Sequence, residues 1–174
     1  LYKTEANELE EMNKKYQLFI ENVPLHFAVV DRKGKFVVWN KYSENLFGYS
    51  KSEVIGKMGP EELHISGPDA EKVIRTAESK GIFDGDVKIK CKNDIVLDMH
   101  LVVIPNKDDN GNIVNYFGFG ENITDRKRSD ILLKRSQHEL ENLVRERTRK
   151  LADANEKLRQ VSYNLNIAQE VAHI

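Results

Sequence analysis

Val87-Lys88-Ile89-Lys90-Cys91-Lys92 and Leu97-Asp98-Met99-His100-Leu101-Val102-Val103 are the two runs on which the fold turns. Side chains of a strand point alternately to its two faces, so a residue type recurring at every second position makes one face apolar and the other wet. The first run sets Val87, Ile89 and Cys91 opposite three lysines; the second sets Leu97, Met99, Leu101 and Val103 opposite Asp98 and His100. Asp108-Asp109-Asn110-Gly111 is a strong turn signal, and Ile113 to Ile123 completes a set of three strands. Upstream, Leu25 to Asp31 is apolar and β-prone, Asp31-Arg32-Lys33-Gly34 is a turn, and Lys35 to Asn40 resumes through Phe36, Val37, Val38 and Trp39. That pair reads as an antiparallel hairpin.

Between hairpin and strands the signals are helical. Ser43 to Gly48 makes a short helix ended by glycine, and Ser50-Lys51-Ser52-Glu53 offers a capping box. Pro60 and Pro68 break the next stretch, and Asp69 to Lys80 is a longer helix ended by Gly81. Two strands, a group of short helices and three strands predict an α+β domain: a five-stranded antiparallel sheet with helices on one face. All ten glycines lie between Gly34 and Gly120 and all four prolines between Pro24 and Pro105, which confines the compact part to the middle of the 174 residues. Before it, Leu9, Met12, Tyr16, Phe19 and Val23 recur at helical spacing until Pro24 stops the helix. After it, the 54 residues from Glu121 onward contain neither Gly nor Pro and are rich in good helix formers.

That last segment has its own period. Alternating steps of four and three from Leu133 reach Gln137, Leu140, Val144, Arg147, Leu151, Ala154, Leu158, Val161, Leu165, Ala168 and Ala172, and only Gln137 and Arg147 are polar. A spacing of 3.5 marks a left-handed coiled coil. One such helix would leave its seam in water, so the expected partner is a second copy of the chain, with Gln137 and Arg147 setting or loosening register.

Composition excludes several classes. A net charge of −1 argues against a nucleic-acid backbone as partner, because counterion release needs a surplus of Lys and Arg. Arg126-Lys127-Arg128 and Arg145 to Lys150 have acidic neighbours and no aromatic company, so they read as solvated helix faces. The longest apolar runs, such as Leu101 to Ile104, are far too short for a bilayer span. Cys91 is the single cysteine, which excludes a disulfide framework and a thiolate metal cluster. The chain shows no signal peptide and does not begin with Met, so the expectation is a cytoplasmic segment cut from a longer protein.

Five groups of residues together resemble the PAS sensory domain: Ile20-Glu21-Asn22-Val23-Pro24; Val30-Asp31-Arg32-Lys33-Gly34; Trp39-Asn40; Leu46-Phe47-Gly48-Tyr49-Ser50 with Glu53 and Ile55-Gly56-Lys57; and Asn122-Ile123-Thr124-Asp125-Arg126-Lys127. The resemblance covers about residues 16–128 and implies the PAS fold, with a hollow between sheet and helices. Its implied ligand-pocket residues are Val29, Val38, Phe47, Leu63, Ile74, Ile89, Met99, Leu101, Phe117 and Phe119, with Asn40 and His64 as polar anchors. Whether a small organic molecule or the core's own side chains fill that hollow stays open. Asn122, Ile123, Thr124, Asp125 and Arg126 stand where the family relays its signal. Relatives carry Asp-Ile-Thr there, and their Asp pairs with a basic residue; Asn122 can only hydrogen-bond, unless Asp125 takes over the charge.

Leu140-Glu141-Asn142-Leu143-Val144-Arg145-Glu146-Arg147-Thr148 is similar to the connecting helix that follows PAS domains in bacterial and archaeal sensor histidine kinases. Ala168-Gln169 through Ile174 resembles the opening of another PAS domain. The implied organisation is an amphipathic helix over 1–19, a PAS domain over 20–124, a coiled-coil signalling helix over 125–170 and the start of a further domain at 171–174. The implied function is a cytoplasmic PAS module of a sensor histidine kinase, homodimeric through its coiled coil and adjoining PAS or kinase domains. The alternatives are a ligand-free dimerisation module, or the sensor part of a diguanylate cyclase or other output protein.

No catalytic residue is assigned. His138-Glu139-Leu140 begins like a phosphoacceptor box but continues Glu141-Asn142-Leu143, without the Pro that bends such a helix. Gly118-Phe119-Gly120 lies within a strand and does not open a helix, so it is no phosphate loop. Cys91 lacks the helical Asn-Cys-Arg-Phe setting of flavin photosensors, and a lone His64 is a poor case for haem. His26 and His100 read as packing or surface residues, and the spacing shows no metal-ligand cluster.

Overall fold

The computed structural model describes residues 2–63 and 67–172, with side chains over 6–63 and 70–168. It divides into two compact units, with the boundary in the sequence between Asp125 and Arg126.

The first unit begins with helix α1 (Tyr2–Asn22) and continues through strands β1 (His26–Asp31) and β2 (Phe36–Trp39). Four helices follow: α2 (Lys41–Phe47), α3 (Lys51–Val54), α4 (Pro60–Leu63) and α5 (Gly67–Lys80). Strands β3 (Phe83–Lys90), β4 (Val96–Lys107) and β5 (Ile113–Asn122) complete the domain. The five strands form one antiparallel sheet in the order β2-β1-β5-β4-β3, so first and last strands meet in the middle.

The two hairpin turns close as their residue types dictate. Asp31 Oδ1 accepts the Lys33 and Lys35 backbone N–H groups at 2.8 and 2.9 Å, and Gly34 takes the left-handed φ of 77° that the turn needs. Asp108 Oδ1 does the same for Asn110 and Asn112 at 3.0 and 2.8 Å. Between β1 and β2 the pairing passes from Val29 with Val38 to Val30 with Phe36, so Val37 is bulged out of register and half exposed.

One face of the sheet carries the core. His26, Ala28 and Val30 of β1, Val87 and Ile89 of β3, and Met99, Leu101 and Val103 of β4 are buried there with Phe36, Trp39, Phe47, Val54 and Leu63. Ala70, Val73 and Ala77 of α5 are buried at helical spacing, and α5 lies against β3 and β4. Helix α2 starts at Lys41, two residues earlier than its apolar pattern suggests. The reason is Asn40, whose side chain accepts the Ser43 N–H as N-cap, while Gly48 ends the helix in the left-handed region.

The second unit belongs to helix α6 (Thr124–Ala172), 49 residues long, which extends about 74 Å at the standard rise. Its coiled-coil positions Leu133, Leu140, Val144, Leu151, Leu158, Val161 and Leu165 are 56–66 % exposed. Ala172 lies outside the described side chains.

Candidate functional site

Between the sheet and helices α4 and α5 lies a cavity of about 50 Å³. Its walls are His26, Ala28 and Val30 from β1, Phe36 from β2, Pro60 and Leu63 from α4, and Ala70, Val73 and Ile74 from α5. Ile89, Leu101, Val103, Tyr116 and Gly118 line the sheet side. Strand β5 contributes glycine to this wall at Gly118, and next to it on the same face a Cβ on Gly120 would come within 3.1 Å of both the His26 ring and Met99. Sites for drug-sized ligands are typically 300–1,000 Å³, so this cavity admits only a few heavy atoms as it stands.

His26 is the buried polar group of this wall. Its ring packs edge-on to Trp39 and Phe47, with centroids 5.3 and 5.1 Å away, and Nδ1 lies 2.6 Å from Ser43 Oγ. Burial without a charged partner pushes its pKa down to about 3, so the imidazole is neutral at physiological pH. Ser43 Oγ in turn donates to Asn40 Oδ1 at 2.5 Å. Asn40 is wholly buried: Oδ1 also accepts the Phe27 and Ser43 N–H groups, and Nδ2 donates to the carbonyls of Ile20 and Leu25. One amide thereby ties the end of α1, the start of β1 and the start of α2.

Of the pocket residues expected from the sequence, Leu63, Ile74, Ile89 and Leu101 line the cavity. Phe47 and Met99 are fully buried beside it in the core, and Asn40 serves as the cap just described, away from the cavity wall. His64 lies outside the described residues. Val29, Val38, Phe117 and Phe119 belong to the other face of the sheet, which corrects the sequence reading. Pairing sets Val29 against both Val38 and Phe117, and Phe27 against Phe119, while Ala28 and Gly118 form the inner pair. On the outer face the Phe27 ring lies 5.1 Å from Phe119 and 6.4 Å from Phe117. Hydrophobicity alone would turn Phe117 and Phe119 inward, but the pairing turns Gly118 and Gly120 inward, and at Gly120 a Cβ would already crowd His26 and Met99. His26, the residue passed over, had one visible signal: it shares parity with Ala28 and Val30.

The family described as PAS fold matches residues 14–123. This chain belongs to the PAS family. Curated relatives include the sensor histidine kinase TmoS of Ectopseudomonas mendocina, 29 % identical over an alignment of 134 positions that covers 73 % of this chain and 14 % of TmoS. The methanogenesis regulatory histidine kinase FilI of Methanothrix harundinacea (strain 6Ac) is 24 % identical over an alignment of 130 positions that covers 71 % of this chain and 14 % of FilI. The chain thus spans about one seventh of these relatives' length. Among solved structures, a PAS domain from Colwellia psychrerythraea superposes with a TM-score of 0.59 at 28 % identity, covering 66 % of this chain and 98 % of that one. The PAS domain here is similar to those of sensor histidine kinases, and it is a sensory module, not a catalytic one. No helix among the described residues is long and apolar enough to cross a membrane.

At the C-terminal edge of the PAS domain, Thr124 is buried and locks the root of α6 to β4. Its hydroxyl accepts the Asp98 N–H at 3.0 Å and donates to Asn122 Oδ1 at 2.7 Å, while Asn122 Oδ1 also takes the Thr124 N–H at 3.0 Å. Ile123, 1 % exposed, anchors the same segment through its N–H on Asp98 O. Asp125 falls in the first turn of α6, where the helix dipole favours a negative charge, and Arg126 begins the second unit. Asn122 acts here through its acceptor oxygen, which Asp shares. Asn122→Asp is therefore expected to change stability by no more than about 0.5 kcal/mol. Thr124→Val, which orphans the Asp98 N–H, is expected to cost about 1–3 kcal/mol in urea unfolding.

Proposed function

We propose that this chain is the sensory PAS module of a sensor histidine kinase, and that it passes the state of its cavity through Asn122–Arg126 into a parallel coiled coil of two α6 helices. The observation that carries this reading is the seam of α6, large apolar side chains at 3.5-residue spacing left more than half exposed. A helix of 49 residues with that stripe in water gains little from propensity alone, whereas a second copy buries the stripe along its whole length. The kinship to TmoS and FilI supports the kinase parentage. The continuity of α6 with the Thr124 lock supports the route. In this reading residues 1–19 form a leading helix, 20–124 the sensor, 125–170 the transmitter and 171–174 the start of a further domain. Its partners are a second copy and the adjoining PAS or kinase domains, in the cytoplasm.

Sedimentation equilibrium of the chain tests it. A dimer at micromolar concentration is expected. The pair Leu140→Asp and Leu151→Asp should convert it to monomer, raising the dissociation constant at least a hundredfold while leaving the PAS domain folded. A monomeric parent chain would defeat the proposal. The small cavity also favours a second reading, a ligand-free dimerisation module with a self-filled core. Native mass spectrometry that finds a co-purifying small molecule would exclude it.

A further inference from the structure

We propose that the cavity selects a small neutral molecule bearing a single O–H or N–H donor on an apolar body, seated against a bare Nε2 of His26. The proposal rests on the sensory reading above and specifies the chemistry of its ligand.

The argument follows protons through the buried chain. Asn40 Nδ2 donates to the Ile20 and Leu25 carbonyls, at 3.1 and 2.9 Å, which fixes the amide so that Oδ1 faces Ser43. A carbonyl oxygen cannot donate, so the 2.5 Å contact between Oδ1 and Ser43 Oγ requires the serine proton. A hydroxyl has only one. Towards His26, Ser43 Oγ can then only accept, and the 2.6 Å contact requires the hydrogen on Nδ1. The opposite tautomer would leave two acceptor oxygens 2.5 Å apart with no proton between them. A neutral imidazole protonated at Nδ1 carries an open lone pair at Nε2. His26 is 4 % exposed and its ring forms part of the cavity wall, and no described protein group hydrogen-bonds Nε2.

The rest of the wall sets what can satisfy that lone pair. Its described side chains are apolar apart from His26 and Tyr116, and the Tyr116 hydroxyl already donates to Glu78 at 2.5 Å. Among the described wall groups a water held here would find one strong partner, where buried waters typically make two to four hydrogen bonds. A cation would be stripped of water with no carboxylate among the described wall residues to receive it. One donor on a short hydrocarbon body meets both demands: it bonds Nε2 and lays its carbon atoms against Val30, Leu63, Ile74 and Leu101. About 50 Å³ limits that body to a few heavy atoms.

Long-range ¹H–¹⁵N correlation on histidine-labelled full chain at pH 7.5 reads the tautomer directly. The unprotonated nitrogen is expected to be Nε2, and protonation there instead would overturn the proposal. Titration then compares 1-propanol with methoxyethane, which has the same atoms and no donor. The alcohol is expected to bind at least tenfold more tightly and to move the Nε2 resonance upfield. Equal binding of the two would overturn the donor rule while leaving a ligand-sensing cavity; binding of neither would overturn this proposal and leave the dimeric relay, which sedimentation tests separately. His26→Phe should abolish the tenfold preference. Where that variant does not fold, Gly118→Ala serves: its new Cβ meets only Ala28 O at 3.7 Å, so the strand tolerates it while the cavity shrinks. Propanol affinity should then fall at least fivefold, and an unchanged affinity would count against this location.

Discussion

Asn40→Asp will cost the PAS domain about 3–5 kcal/mol of unfolding free energy at pH 7, far more than one altered atom suggests. The Asn40 side chain is wholly buried, and its NH₂ group faces two backbone carbonyls, Ile20 O at 3.1 Å and Leu25 O at 2.9 Å. A carboxylate there loses both donors and sets its charge against two acceptor oxygens, with no cation among the hydrogen-bonding partners of the site. Asn40→Ser keeps an oxygen able to cap α2, and should recover about 1 kcal/mol of the loss. Urea unfolding of both variants against the parent checks the ranking. The gap between Asn40→Asp and the parent should narrow between pH 7 and pH 5, as the buried acid regains a proton with which to donate. If the aspartate variant is as stable as the parent, the fixed orientation of the amide is wrong, and the tautomer inferred for His26 falls with it.

The second large effect is acid destabilisation through His26. Its pKa is about 3 in the folded chain against 6.5 for the unfolded one, lowered by burial. Between those values the unfolded chain binds the proton and the folded chain does not, so stability rises with pH across the window and is lost as pH falls from 6.5 towards 3. From pH 8 to pH 5 the loss from this one residue is about 2 kcal/mol. Glu44, Glu62 and Asp108 also have lowered pKa values, through hydrogen bonds from backbone N–H groups and, for the two glutamates, nearby lysines. Their ordinary values are 4.5, 4.5 and 3.8, so their contributions are lost mainly below pH 5. The interval from 6.5 to 5 therefore separates the histidine from these carboxylates, and the His26 variant assigns the slope. Denaturant unfolding of the parent should show this slope and His26→Phe should flatten it; a slope unchanged in the variant would assign the effect elsewhere.

Much of the architecture could be read along the chain, for a local reason. Val87, Ile89 and Cys91 against their lysines define a strand with one wet face because the pleat has a period of two, and the structure buries those three and exposes the lysines. Asp31 and Gly34, like Asp108 and Gly111, close turns through contacts within five residues, so turn chemistry suffices to place them. The heptad stripe of α6 is likewise a property of spacing alone.

The cavity needed more than spacing. Which residues of β1 and β5 face inward depends on register, and a shift of one exchanges every side chain between faces. Phe117 and Phe119 are the more apolar residues, yet Gly118 and Gly120 are turned inward, because His26, Met99 and Leu101 leave no space for a Cβ at Gly120. Asn40 carried the same lesson: its partners Ile20, Leu25, Phe27 and Ser43 are up to twenty residues away, and their convergence makes it a structural tie. By itself, then, the sequence determined the strands, the turns, the family and the period of the long helix, since each rests on neighbours within one or two turns of chain. Tertiary structure alone decided which face holds the cavity, that His26 stands in its wall, and which of its nitrogens is open. Those follow from volume and from proton sharing between residues that meet only when the sheet has closed.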